Sequence, residues 1–190
     1  MSRWEPGARE RFVDAALQLF TEQGYDETTV AQIADRAGLT RSTFFRHFAD
    51  KREVLSAGQE TLSRLFTDGI ASAPAGSSPL EAVEAGLTNA SDAMTPFNRE
   101  LGPRLEAVIA TSSELRERAL LKKVGMAAAM ADALRGRGID PSVAAAAAEL
   151  GVLAFKDAFE AWTTADNEQP LSELTSAALQ RLRSAVTQLG

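Results

Sequence analysis

The sequence predicts an all-α chain of about nine helices. Three observations carry this. Apolar residues recur at three- and four-residue spacing along almost every segment. No segment sustains the period-two alternation of β-branched residues that marks a strand, and several segments open on explicit N-terminal capping patterns. With 190 residues, 45% of them hydrophobic, the chain is long and apolar enough to form one large domain or two small ones, which excludes a disordered chain.

The first helix is expected at about 8–23. Phe12, Ala16, Leu19 and Phe20 form its buried stripe, and Gly24 stands where a left-handed C-cap belongs. Thr29-Val30-Ala31-Gln32 is a capping box: the Thr hydroxyl and the Gln amide satisfy each other's backbone donors and start a second helix. Val30, Ile33, Ala34 and Ala37 make its inner face, and Gly38 ends it. Thr40 then caps a third helix at about 41–48. Phe44 and Phe48, four residues apart, point inward, leaving Arg41, Ser42, Thr43, Phe45, Arg46 and His47 for the outer and flanking faces. Two short helices joined at Gly38-Leu39 form a helix-turn-helix, whose second helix suits a DNA major groove.

Asp50 opens a long fourth helix reaching about residue 72, with Glu53 completing a second cap of the same form. It should bridge the first 50 residues to the rest. A loop at 73–78 leads to Ser78-Pro79-Leu80-Glu81, which has an N-cap, a proline at the first helical position and a glutamate at the third. The fifth helix carries Leu80, Val83, Leu87, Ala90 and Met94. Pro96 and the Gly102-Pro103 pair are expected to break the sixth helix or to delay its start to about residue 103. Three further helices are expected: at about 113–137, closed by Gly138; from Asp140-Pro141 to about 165; and at 171–189, after a turn at 167–170.

Charge and composition exclude several classes. There is no cysteine, so disulfides, thiolate zinc sites and cysteine nucleophiles are out, and a reducing cytoplasm is compatible. The N-terminus has no apolar signal-peptide core, and no apolar run approaches the roughly 18–20 residues of a membrane span. The net charge of −6 argues against a generally basic nucleic-acid binder. Positive charge is nevertheless concentrated between Thr40 and Arg52, where Arg41, Arg46, Lys51 and Arg52 face only Asp50. A small positive footprint on a negative body suits one short DNA site. No catalytic or cofactor motif is present, so no enzyme activity, cofactor or metal is expected.

Two stretches resemble the TetR family of bacterial transcriptional regulators. One is Gly24-Tyr25 with Thr28-Thr29-Val30 and Ile33-Ala34. The other is Ala37-Gly38-Leu39-Thr40 with Ser42-Thr43-Phe44-Phe45-Arg46-His47-Phe48 and Lys51. The pattern covers about residues 8–55. The resemblance implies a DNA-binding domain at 1–50 and a ligand-binding and dimerisation body at 51–190. It further implies a homodimer, a palindromic double-stranded DNA operator and a small-molecule effector, most simply in a repressor. Effector binding would then shift the fourth helix and the spacing of the two heads. The family usually has tyrosine where this chain has Phe45. That hydroxyl typically reaches a phosphate, so Phe45 is left to a thymine methyl or sugar edge. An alternative from another class is a helical sensor or carrier of apolar ligands that no longer binds DNA. The acidic composition and Phe45 favour it; Arg41, His47 and Lys51 oppose it.

The DNA-binding candidates are Thr29, Gln32, Thr40, Arg41, Ser42, Thr43, Phe45, Arg46, His47 and Lys51. Thr29 and Lys51 lie at helix starts, which attract phosphate; their plainer roles are an N-cap and a solvated charge. Arg41 is placed to read guanine O6 and N7, or else to hold a phosphate. Ser42 and Thr43 can hydrogen-bond a base or touch a thymine methyl, and Gln32 divides between capping and contact. Arg46 is a DNA contact or a surface charge. By resemblance His47 falls on a phosphate-contacting position, against the structural role usual for a lone histidine; no nucleophile or metal ligand accompanies it.

In the body, Phe66, Leu87, Met94, Phe97, Leu101, Leu105, Ile109, Met126, Met130, Phe155, Phe159 and Trp162 exceed a minimal helix seam. They are core or the lining of an apolar or amphipathic ligand site, with Arg104 available to an anionic headgroup. The segment 109–116 resembles family members proposed to bind acyl-CoA-like ligands. The dimer seam is expected from small residues Ala147, Gly151, Ala154 and Ala158, together with Leu174, Ala178, Leu182, Ala185 and Leu189. An intrachain core is the alternative for these.

Overall fold

The capping chemistry of the sequence translates directly into helix starts. The computed structural model describes residues 7–55 and 58–188, and every regular element among them is helical. The helices are α1 (Ala8–Gln23), α2 (Val30–Arg36), α3 (Arg41–His47), α4 (Lys51–Val54), α5 (Gln59–Ser72), α6 (Pro79–Asp92), α7 (Pro96–Ala110), α8 (Ser113–Gly136), α9 (Pro141–Trp162) and α10 (Leu171–Thr187). At α6 the Ser78 N–H donates to Glu81 at 2.7 Å, closing the expected capping box. At α9 the Asp140 carboxylate accepts the Ser142 and Val143 N–H groups.

Three boundary expectations are corrected. Gly24 has positive φ but extended ψ (91°, 158°), so it is not a left-handed cap. The expected long helix from Asp50 is two helices, α4 and α5. Gly58 takes φ +89°, which no right-handed helix accommodates, and α5 restarts after it. The expected break at Gly102-Pro103 does not occur: α7 runs through Pro103. Thr95 and Asn98 form a reciprocal cap at its start, which places Pro96 at the first helical position, where its missing N–H costs nothing. The interior Pro103 removes one backbone bond, a cost of about 3 kcal/mol.

The chain divides into two compact units. The first comprises residues up to 58 together with 101–116, and the second 59–100 together with 117–190. The first thus gathers, besides the helix-turn-helix, a segment distant from it in sequence. Its core holds Phe12, Leu17, Ile33, Phe44 and Phe48 along with Val108 and Leu115. Phe12 meets Phe44 edge-on, with ring centroids 5.2 Å apart. Leu101, Leu105 and Ile109, expected around a ligand, pack against this core instead, and Arg104 pairs with Asp14 at 2.7 Å. Their periodicity serves α7 packing in the first unit, and the Arg104 charge is neutralised there.

In the second unit α5, α6, α9 and α10 pack with the C-terminal half of α8. Phe66, Val83, Leu87, Met130, Leu134 and Phe155 lie at its centre. Helices α5 and α6 approach so closely that a Cβ on Gly86 would lie 2.7 Å from the Phe66 carbonyl oxygen. Arg137, just beyond α8, donates to the Ile70, Ala71, Ala73 and Pro74 carbonyls and so satisfies the end of α5.

The small residues of α9 serve this core. Ala147, Gly151, Ala154 and Ala158, with Ala178 of α10, are buried within the single chain. A Cβ on Gly151 would come within 2.7 Å of Met130 Cε and Val83 Cγ1. Those positions have no surface left for a second chain. Leu174 and Leu182 are half-buried, Ala185 is exposed, and Leu189 lies outside the described residues.

Candidate nucleic-acid interface

The turn between α2 and α3 is fixed by short-range bonds. The Thr29 N–H donates to Gln32 Oε1 at 2.8 Å, and the Gln32 N–H returns to Thr29 Oγ1 at 3.3 Å. Gln23 Nε2 adds a 3.3 Å bond to the same Gln32 oxygen, so that oxygen is committed to holding the start of α2. Gly38 takes φ +64°, a left-handed value that lets the chain reverse, and the Leu39 N–H closes on the Ala34 carbonyl at 3.0 Å. Arg11 of α1 donates to the Ala37 carbonyl beside it. Thr40 Oγ1 then accepts the Thr43 N–H at 3.1 Å and begins α3.

Helix α3 is two-faced, as its spacing dictates. Phe44 and Phe48 are buried, while Arg41, Ser42, Phe45 and Arg46 are exposed and Thr43 and His47 half-buried. Phe45 is 52% exposed, with its ring held edge-on to Phe44 at 5.5 Å, so a rigid apolar face points outward. Thr43 Oγ1 lies 2.9 Å from Thr40 Oγ1 and receives Arg46 Nη2 at 3.3 Å, which tethers the Arg46 head along the helix. The His47 ring flanks Phe12 and Phe48, with centroids 6.2 and 6.4 Å away.

Ion pairing separates the cations. Arg36 binds Glu22 through both terminal nitrogens at 3.0 and 2.8 Å, and that hydrogen bond holds the Glu22 carboxyl below the usual range. Arg52 clasps Asp50 through Nε and Nη2. Partial burial opposes ionisation of Asp50, but hydrogen bonds from Arg52 and the Glu53 N–H outweigh it, and its carboxyl too is lowered. Arg41 and Arg46 meet no carboxylate among the described residues. Arg41 and Arg46 therefore leave positive charge on α3 available to a polyanion.

Lys51 departs from both readings of it. Its ammonium donates to the Tyr25, Asp26 and Thr28 carbonyls at 2.7, 3.0 and 2.9 Å and sits 4.5 Å from the Tyr25 ring centroid. A lysine has three N–H donors, and all three are engaged. It is neither a solvated charge nor, in this arrangement, a free phosphate ligand; it pins the loop that presents Thr29. Nothing in the sequence marks this role, because carbonyls carry no residue-type signature.

The family model of the bacterial regulatory proteins of the TetR family, in its N-terminal part, matches residues 12–57, the stretch that builds this helix-turn-helix. Residues 12–57 thus carry the N-terminal helix-turn-helix of the TetR family. Among curated TetR-type relatives it is 41% identical over 75 residues to the HTH-type transcriptional regulator TcmR of Streptomyces glaucescens, a match covering 40% of this chain and 33% of TcmR. It is 49% identical over 49 residues to SrpR of Pseudomonas putida, covering 26% of this chain and 23% of SrpR. Both matches span well under half of those relatives' length. Among solved structures it is similar to Thermus thermophilus FadR, described as a TetR-family transcriptional repressor in complex with lauroyl-CoA. That likeness has 25% identity and a TM-score of 0.55, over 92% of each chain. The all-helical fold of the TetR family thus extends through the body, beyond the head.

Proposed function

We propose that this chain is a ligand-responsive DNA-binding transcriptional regulator. In this reading it is a repressor that binds a palindromic operator as a homodimer through residues 1–50, with effector binding and dimerisation in 51–190. The observation that carries it is the outer face of α3, where Arg41, Ser42, Phe45 and Arg46 stand exposed and both arginines lack a carboxylate partner among the described residues. Arg41, in the first turn of α3, reads a base edge; Arg46 and His47 hold phosphates; Thr29, Gln32 and Thr40 set the helix starts; Phe45 meets a thymine methyl or sugar edge.

The test is fluorescence anisotropy with duplexes that the protein selects from a randomised library. Arg41→Ala should cost about 1–3 kcal/mol and relax preference at one base position. Uniform weakening on all sequences would reassign Arg41 to a phosphate, and failure to select any duplex would sink the DNA-binding reading.

The effector is an apolar or amphipathic small molecule, of the acyl-CoA class by likeness to the lauroyl-CoA-bound relative. In the second unit the candidate lining is the aromatic row Phe66, Phe155, Phe159 and Trp162, whose successive rings lie 5.0–5.9 Å apart, with Met94 and Met126 half-buried beside that core. Lauroyl-CoA at tens of micromolar is expected to release bound DNA; unchanged anisotropy would remove the acyl-CoA assignment. The dimer contact is assigned to side chains the fold leaves outward. These are Val143 and Leu153 of α9, with Ala185 and Val186 of α10, beside the half-buried Leu182. Leu153→Glu should shift sedimentation toward monomer.

A further inference from the structure

We infer that Arg9 is a further, sequence-independent phosphate contact, at the start of α1; this rests on the DNA-binding reading above. Three observations converge on it. The Arg9 guanidinium carbon lies 4.9 Å from the Phe48 ring centroid. A guanidinium over an aromatic face is held by cation–π attraction without using its N–H donors, and Arg9 is exposed, so those donors remain available to a phosphate. Phe48 directly follows α3, and His47 flanks the same ring, so two donors competent for phosphate share one aromatic support.

Second, Arg9 occupies the first turn of α1, where the helix macrodipole favours an anion and disfavours a cation. The neighbouring acid, Glu10, is already accepting the Gly7 N–H at 3.1 Å. A cation in that position is locally unfavourable, and such inconsistencies concentrate at functional positions. Third, no carboxylate pairs with Arg9 among the described residues, whereas Arg36, Arg52 and Arg104 are each neutralised by one. Within the helix-turn-helix unit Arg9, like Arg41 and Arg46 and unlike Arg36 and Arg52, is in no ion pair among the described residues, so its charge is available to an anion.

Phosphate contact at this point adds affinity without sequence preference. The experiment compares wild type, Arg9→Ala and Arg9→Lys as full chains, on the duplex selected by wild type and on a scrambled duplex of equal length, across a salt series. Arg9→Ala should weaken both duplexes by the same factor, about three- to tenfold near 0.1 M salt. It should also reduce the slope of log K against log salt by about 0.9. Arg9→Lys should restore the slope and only part of the affinity. Unchanged affinity and slope in Arg9→Ala overturns the assignment. Weaker binding at unchanged slope overturns it too, by making Arg9 a packing residue. Wild type that binds neither duplex refutes DNA binding itself rather than this residue's part in it.

Discussion

Replacing Gly86 by valine should destabilise the protein by about 3 kcal/mol, the upper range for overpacking a tight contact. The reason is backbone. A Cβ at Gly86 would stand 2.7 Å from the Phe66 carbonyl oxygen and 3.0 Å from Ile70 Cγ1, and one at Gly69 would stand 2.7 Å from both the Ala85 carbonyl oxygen and Gly86 Cα. No rotamer relieves contacts made by main-chain atoms, so α5 and α6 must separate and loosen the core around Phe66 and Leu87. Gly125 in α8 provides the opposite case: it is exposed, helical and has nothing within 4 Å of an added Cβ. Gly125→Ala should raise stability by about 0.4–1 kcal/mol by restricting the unfolded chain. Thermal unfolding followed by circular dichroism checks both, at roughly 2–4 °C per kcal/mol for a chain of this size. A Gly86→Val protein that melts with wild type would show that the two helices are not in close contact.

The sequence resolves this fold best where one residue type has one physical use. Thr29 with Gln32, Ser78-Pro79 with Glu81, and Asp140-Pro141 all mark helix starts because few arrangements satisfy those donors. Phe44 and Phe48 point inward because three- and four-residue spacing leaves no other choice. It resolves the fold poorly where a residue serves several ends. The alanine stripe of α9 permits close approach to any helix, and whether that helix is in the same chain is not written in it; Ala147, Ala154 and Ala158 are used internally. The apolar row Leu101, Leu105 and Ile109 reads as a ligand wall or a core with equal ease, and packs on the helix-turn-helix unit. Pro103 reads as a helix break because local propensity opposes it, yet α7 runs through it, with Leu101, Leu105 and Val108 packed in the first unit and Thr95 capping its start. Availability for DNA is legible only in part: the cationic positions are visible in sequence, but which of them are already neutralised depends on ion pairs between distant helices, such as Arg36 with Glu22.

Lys51 turns that last point into a measurement. Lys51→Met removes three hydrogen bonds from a charged donor while keeping the side-chain stem over Tyr25. Asp26 is exposed, and water can reach its carbonyl, so the three losses are not additive. The expected destabilisation is about 1.5–3 kcal/mol, that of one good charged hydrogen bond. The loop 25–28 then loosens, and with it the placement of Thr29 and the start of α2, so DNA affinity falls as well. The salt slope of binding separates the two accounts of this residue. A lysine committed to carbonyls releases no counterion from DNA, so Lys51→Met should leave the slope of log K against log salt unchanged while lowering the melting temperature. A lysine that leaves the loop to grip a phosphate would give the reverse: a slope smaller by about 0.9 and a melting temperature close to wild type. The first outcome makes Lys51 the residue that positions α2. The second would mean that the three carbonyls hold it only until DNA arrives.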